Sequence, residues 1–135
     1  MKMKTDLFTD ILHKAGIKAT CARMEICDAL TKEKYPVSIK VLGKKVNTPD
    51  QSTLYRSLKT LVYKGLVREI LIHKAEARYE IAFGRSHHHH IVCTDCGTID
   101  DINICPPSLP AGTSKRFSRI TGHSLEFFGV CKTCA

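Results

Sequence analysis

The sequence predicts an α+β protein in two parts. A winged helix-turn-helix is expected over residues 1–83 and a small α/β unit over residues 87–135, with a hinge at 84–86. Three observations carry that expectation. Helical periodicity fills the first half and then gives way to two strand-like runs, the order of a winged helix. Two Cys-x-x-Cys pairs, at 93–96 and 131–134, bracket the last part of the chain and can staple it around a four-cysteine metal site. Charge is also divided unevenly within the net +8: residues 1–83 hold 16 basic and 9 acidic residues, and residues 84–135 hold 5 and 4. That excess suits a polyanionic partner for the first part. The second part instead holds five of the seven cysteines and five of the seven histidines.

Each element has a local reason. Residues 5–15 put Leu7, Phe8, Ile11, Leu12 and Ala15 on one helical face, and Gly16 ends the pattern. Thr20 is suited to cap a second helix reaching about Leu30, with Ile26, Cys27 and Leu30 inward. Pro36 interrupts the chain. Ser38 then caps a short third helix with Ile39, Leu42 and Val46 inward. Asn47-Thr48-Pro49-Asp50 is a turn whose last residue caps a fourth helix through Lys64, closed by Gly65. Strands are expected at 67–72 and 77–82, joined by residues 73–76 as a hairpin. After Gly84-Arg85-Ser86 come strands at 87–93 and 98–102, a proline-rich loop at 106–110, a short helix at 113–121 with Phe117 and Ile120 inward, and a strand at 125–130.

Several classes are excluded. No apolar run approaches the roughly 18 to 20 residues that span a bilayer, so no membrane partner is expected. The N-terminal MKMKTDLFTD carries acidic residues and lacks the apolar stretch of a signal peptide, which points to the cytoplasm. Thiols there stay reduced, and paired cysteines bind metal more often than they form disulfides.

The fourth helix has the properties of a DNA reader. Leu54, Leu58, Leu61 and Val62 form its apolar stripe. Ser52, Thr53, Arg56, Lys59 and Thr60 fall opposite, with Tyr55 on the flank, and no carboxylate occurs from Gln51 to Lys64. A face that meets phosphates and base edges should be free of acids. Arg56 can contact guanine through both guanidinium nitrogens, and Tyr55 or Thr53 can touch a thymine methyl. Lys14, Lys18 and Arg23 lie near the first helix–helix turn, where backbone contacts are expected. An ordinary amphipathic helix also has a polar outside.

Cys93, Cys96, Cys131 and Cys134 offer four thiolates from two tight turns, which Zn(II) accepts tetrahedrally. A redox dithiol needs only one such pair. Cys27 reads as core, and Cys105 has no role assigned by spacing. In a strand, alternate residues share a face, so His88 and His90 point one way and His87 and His89 the other. Each pair can bind one divalent metal. Glu80 and Asp101 can complete the first site and His123 can join the second. Such mixed nitrogen and oxygen sets suit Fe(II), Zn(II), Mn(II), Co(II) or Ni(II). His13 and His73 read as ordinary residues.

Taken together, Gly-Ile-Lys-Ala-Thr at 16–20, Ser-Thr-Leu-Tyr-Arg-Ser-Leu at 52–58, Arg-Tyr-Glu at 78–80, His-His-His-His-Ile-Val-Cys-Thr-Asp-Cys-Gly at 87–97, His-Ser-Leu at 123–125 and Cys-Lys-Thr-Cys at 131–134 resemble the ferric uptake regulator family of metal-dependent repressors. The resemblance implies a homodimer that binds a palindromic DNA operator once a regulatory metal is loaded, with Fe(II) or Zn(II) foremost. It implies that residues 87–135 form a dimerisation domain. By position, Tyr55 and Arg56 match major-groove readers and Lys18 a minor-groove lysine. Cys93, Cys96, Cys131 and Cys134 match structural zinc ligands. Glu80, His88 and His90 match the regulatory site, to which Asp101 adds an acidic ligand in some members. His87, His89 and His123 match an additional site.

Two departures stand out. Pro36 occupies a position where the family often has a regulatory histidine, leaving His13 and Cys21 as remote alternatives. Pro107-Ser108 stands where the additional site often draws a glutamate, so both regulatory sites are altered, and Cys105 can add a sulfur ligand that shifts metal preference toward zinc. One rival is a peroxide sensor of the same fold, which the missing histidine at position 36 weakens; the altered ligand set keeps a second in view, a zinc-stabilised DNA-binding protein that senses nothing. A metal-dependent hydrolase using the histidines would need an open metal position and a general base in a pocket, and no such motif is present. No small-molecule substrate is expected.

Overall fold

The computed structural model describes residues 2–47, 50–72, 76–105, 114–120, 122–123 and 125–135. Contacts divide the chain into two units, Met1–Arg85 and Ser86–Ala135.

In the first unit, helix α1 (Lys2–Lys14) buries Phe8 and Leu12. Leu7, expected on the same face, is 55% exposed. It lies one residue step, about 100°, from Phe8, and the buried stripe is too narrow to include it. Gly16 has φ 78°, and the bonds from its own N–H to the His13 carbonyl and from Ile17 N–H to the Leu12 carbonyl close the helix end. Helix α2 (Cys21–Thr31) starts at Thr20, whose hydroxyl accepts from the Arg23 N–H at 3.3 Å. Its residues Ile26, Cys27, Ala29 and Leu30 are buried. Burial raises the Cys27 thiol to about 12, which leaves it an inert core residue.

Strand β1 (Val37–Ser38) was not expected from sequence, because two residues are too few to show a period. It pairs antiparallel with β3 (Glu76–Ile81), which pairs in turn with β2 (Val67–Ile72), so the wing is three-stranded in the order β1-β3-β2. Residues 73–75 of the expected hairpin connection lie outside the described residues. Ser38 ends β1 and caps α3 (Ile39–Gly43) through the Val41 N–H at 3.3 Å. Helix α4 (Gln51–Tyr63) is capped by Asp50, whose carboxylate accepts from the Ser52 N–H at 3.0 Å and the Thr53 hydroxyl at 3.1 Å. The core gathers Leu12, Ile26, Leu30, Leu42, Leu58, Leu61 and Ile81.

The second unit holds a three-stranded sheet in the order β5-β4-β6, from β4 (His89–Cys93), β5 (Ile99–Ile102) and β6 (Glu126–Gly129). β4 runs antiparallel to β5 and parallel to β6. Strand pairing begins at His89 rather than at 87, because His88 turns its Nδ1 to the Ser86 carbonyl at 2.8 Å. The expected helix at 113–121 is not formed: residues 114–120 carry bends and no helix, and 113 and 121 lie outside the described residues. Phe117 is 74% exposed and Ile120 55%. Without burial of that stripe, nothing offsets the cost of nucleating a two-turn helix. The expected proline loop at 106–110 also lies outside the described residues. No described helix is long and apolar enough to cross a membrane.

Candidate metal centres and nucleic-acid interface

The amphipathic pattern of α4 sorts its residues. Leu54, Ser57, Leu58 and Leu61 are buried, whereas Gln51, Ser52, Tyr55 and Arg56 are exposed. Arg56 also lines a groove of about 500 Å³, shared with Thr20, Cys21, Arg23, Thr53 and Thr60. Lys14 and Lys18 are exposed, and Arg23 Nη1 donates to the Lys18 carbonyl at 2.8 Å, which ties the guanidinium to the α1–α2 turn. Lys59 is placed differently. Its Nζ lies 3.0 Å from both carboxylate oxygens of Glu69 on β2, a partner that sequence spacing did not reveal. That hydrogen bond raises the Lys59 pKa and ties its charge to the wing.

The two cysteine knuckles converge. The ligand sulfurs of Cys93, Cys96, Cys131 and Cys134 lie within 4.8 Å of one another, and Cys96 Sγ is 3.7 Å from Cys131 Sγ. Tetrahedral zinc with bonds of about 2.3 Å would space its sulfurs about 3.8 Å apart. Gly97, at φ 78°, closes the first knuckle with a 2.9 Å bond from its N–H to the Cys93 carbonyl. The Cys131 N–H donates to Cys93 Sγ at 3.3 Å, and N–H groups of its own knuckle assist; together they lower the Cys93 thiol to about 6. The neighbouring sulfurs of Cys131 and Cys96 push Cys134 up to about 12. Four sulfurs so close do not all ionise unaided, and a divalent cation is the group that lets them. The residues present therefore fit Zn(II).

The histidine run divides onto two faces. The His88 and His90 ring centroids are 4.9 Å apart, and those of His87 and His89 are 4.6 Å apart. On the first face, His90 Nε2 lies 3.7 Å from Asp101 Oδ1, across the β4–β5 ladder. That Oδ1 is buried and has no hydrogen bond among the described residues, so it is suited to meet a cation. Glu80, in the first unit, is 2% exposed on β3, with Arg68 at 3.6 Å and Arg85 at 3.9 Å. Within the second unit, the two imidazoles of this face and Asp101 are nitrogen and oxygen donors of the kind that suits Fe(II), Zn(II), Mn(II), Co(II) or Ni(II).

On the second face, His89 Nε2 lies 3.1 Å from His87 Nε2 and 3.3 Å from His123 Nε2. Burial, and then the charges of His87 and His123, lower the His89 pKa, which favours the neutral imidazole that metals require. Cys105 joins this group, with Sγ 3.4 Å from His87 Nε2 and 3.3 Å from His123 Nε2. The sequence offers Cys105 as a sulfur donor but does not place it; the strand register does. β5 pairs Ile102 with His89, so the chain just beyond its end runs back past His87. Pro36 is buried in the first unit. His13 and Cys21 are exposed and belong to no metal-sized donor group among the described residues. Residues 107 and 108 lie outside the described residues.

The ferric uptake regulator family profile matches residues 14–128. Ferric uptake regulation protein 1 of Mycolicibacterium fortuitum is 34% identical over 110 residues, covering 79% of this chain and 68% of that protein. The peroxide operon regulator of Bacillus subtilis is 29% identical over 135 residues, covering 93% of this chain and 90% of its own. The structure of the Helicobacter pylori ferric uptake regulator Fur superposes with a TM-score of 0.72 at 24% identity, covering 98% of this chain and 92% of that one, and so shares its fold.

Proposed function

This chain belongs to the ferric uptake regulator family and is a metal-responsive regulator of transcription rather than an enzyme, and on that premise we propose that it is a cytoplasmic repressor that binds a palindromic DNA operator as a metal-loaded homodimer. The observation that carries the reading is the exposed face of α4 around Tyr55 and Arg56, to which the helix itself contributes no carboxylate. Tyr55 and Arg56, with Thr53 beside them, read base edges in the major groove, Lys18 reaches the minor groove, and Ser52, Lys14 and Arg23 hold the backbone; Lys59 assists from its place beside Glu69.

Cys93, Cys96, Cys131 and Cys134 hold a structural zinc. Glu80, His88, His90 and Asp101 are the regulatory ligands, and His87, His89 and His123 belong to the additional site. A divalent metal, Fe(II) or Zn(II) foremost, supplies a positive centre that these donors share. Response then follows from linkage: whichever state of the dimer binds metal more tightly is enriched by it, and DNA selects the same state.

The test is operator binding by fluorescence anisotropy, using a duplex selected by the protein from a random pool. The four-cysteine zinc is retained throughout, while weakly held metal is removed by a mild chelator and then restored. Affinity should fall about tenfold or more on removal, within the usual range of allosteric coupling, and return on restoration. It should also weaken steeply with salt. Unchanged affinity after removal would defeat the metal-responsive repressor reading. The likeness to the peroxide operon regulator of Bacillus subtilis favours a second reading, oxidation of an iron-bound histidine. Mass spectrometry of His88 and His90 peptides after peroxide treatment of the iron-loaded protein decides that case by the gain of one oxygen atom.

A further inference from the structure

We propose that Cys105 is the fourth ligand of the site formed by His87, His89 and His123, which makes it a closed three-nitrogen, one-sulfur centre selective for zinc-class metals. The argument starts from His89, which is 4% exposed. Its Nδ1 lies 3.2 Å from the Leu125 carbonyl oxygen. A carbonyl only accepts, so Nδ1 carries the hydrogen and the Nε2 lone pair of the neutral ring faces inward. Such a second-side bond is what orients metal-ligating histidines.

Two further Nε2 atoms, of His87 and His123, meet that lone pair at 3.1 and 3.3 Å. His87 and His123 can each donate one proton at most, and a proton serves only one contact at a time. A cation at the centre satisfies all the lone pairs at once. Cys105 Sγ completes the set, at 3.4 Å from His87 Nε2 and 3.3 Å from His123 Nε2. Tetrahedral zinc requires nitrogens about 3.3 Å apart and nitrogen–sulfur edges of about 3.6 Å; the two nitrogen–nitrogen and two nitrogen–sulfur distances above come close to these, and all four ligand atoms lie within 4.8 Å of one another.

A thiolate in place of an oxygen ligand changes the chemistry of the site. It favours Zn(II) and Co(II) over Mn(II) and other hard cations. Four protein ligands leave no open position, so the centre holds its metal rather than presenting it to a substrate. All four residues belong to the second unit. The inference rests on the metal-binding part of the reading above and needs no DNA, so its failure and the failure of operator binding are separate results.

The full chain, with zinc kept in its four-cysteine cluster and its other sites emptied, is titrated with Co(II). Native mass spectrometry tracks the retained zinc. The expected result is a thiolate-to-cobalt charge-transfer band in the near ultraviolet, with the visible bands of four-coordinate cobalt. Cys105→Ser should lose the charge-transfer band and bind zinc about tenfold or more weakly at this site, since even indirect partners of a metal cost that much. Cys105→Asp should recover zinc binding in part, without the band, and gain affinity for Mn(II) relative to zinc. In the unmodified protein, where folding of a variant is not at issue, zinc should protect Cys105 from alkylation. A wild type without the band, a Cys105→Ser spectrum and zinc affinity equal to wild type, or alkylation indifferent to zinc would each overturn the proposal.

Discussion

Arg56 and Lys59 sit three positions apart on α4, and periodicity alone puts both on the same polar face. The structure separates them. Arg56 is exposed beside a polar groove, whereas Lys59 is engaged by Glu69 at 3.0 Å. Arg56→Ala should therefore weaken operator binding by about 1–3 kcal/mol and relax sequence preference, the signature of a lost base contact. Lys59→Ala should cost less and leave preference intact, because its charge is already partly neutralised. Anisotropy on matched and mutated duplexes checks both; a larger loss at Lys59 would reverse the assignment. The histidine run shows the same contrast. Alternation places neighbouring imidazoles on opposite faces by simple strand geometry. Which donors wait on each face, Asp101 near His90 and Cys105 near His87, depends on the fold of residues distant in sequence.

At the scale of the element, helix boundaries were legible because caps are local chemistry. Thr20, Ser38 and Asp50 each accept a backbone N–H at the start of the helix they were expected to begin. The failures at this scale were elements whose existence depends on partners. β1 has two residues and survives only by pairing with β3, and the missing helix near Phe117 had no surface to bury against. Asp50 also carries a pH prediction. The Ser52 N–H and then the Thr53 hydroxyl hold its carboxyl below the ordinary carboxylate value. A carboxylate with a lower pKa folded than unfolded adds stability above its unfolded value, about 3.9, and loses it as pH falls through the folded one. Asp50→Ala should therefore melt below wild type at neutral pH, with the gap closing as the pH drops under about 3.9. Melting followed by circular dichroism tests this, and a gap that persists in acid would show that the carboxylate charge is not the source.

Across the whole molecule the two units differ in what holds them together. Met1–Arg85 has a continuous apolar core running from Phe8 to Ile81. Among the described residues of Ser86–Ala135, the buried apolar side chains are Val92, Cys93 and Ile99, while Ile104, Phe117, Ile120, Phe128 and Val130 are exposed. A unit of that size with so little core needs a staple. Removing the four-cysteine zinc with a strong chelator should abolish hydrogen-exchange protection in β4, β5 and β6 while α2 and α4 stay protected. Equal loss in both units would show that the metal supports the whole chain. The proposed homodimer would cover the exposed apolar residues of the second unit. The sequence by itself determined the α+β class, the starts of the three helices capped by Thr20, Ser38 and Asp50, the two knuckles and the basic character of the first part, because capping, periodicity, ligand type and charge are local properties; the first helix, expected from residue 5, starts at Lys2. Only the tertiary structure decided that Glu69 holds Lys59, that the wing has a third strand and that Cys105 meets His87 and His123. Those are contacts between residues far apart in the chain, and spacing within one segment carries no record of what folds against it.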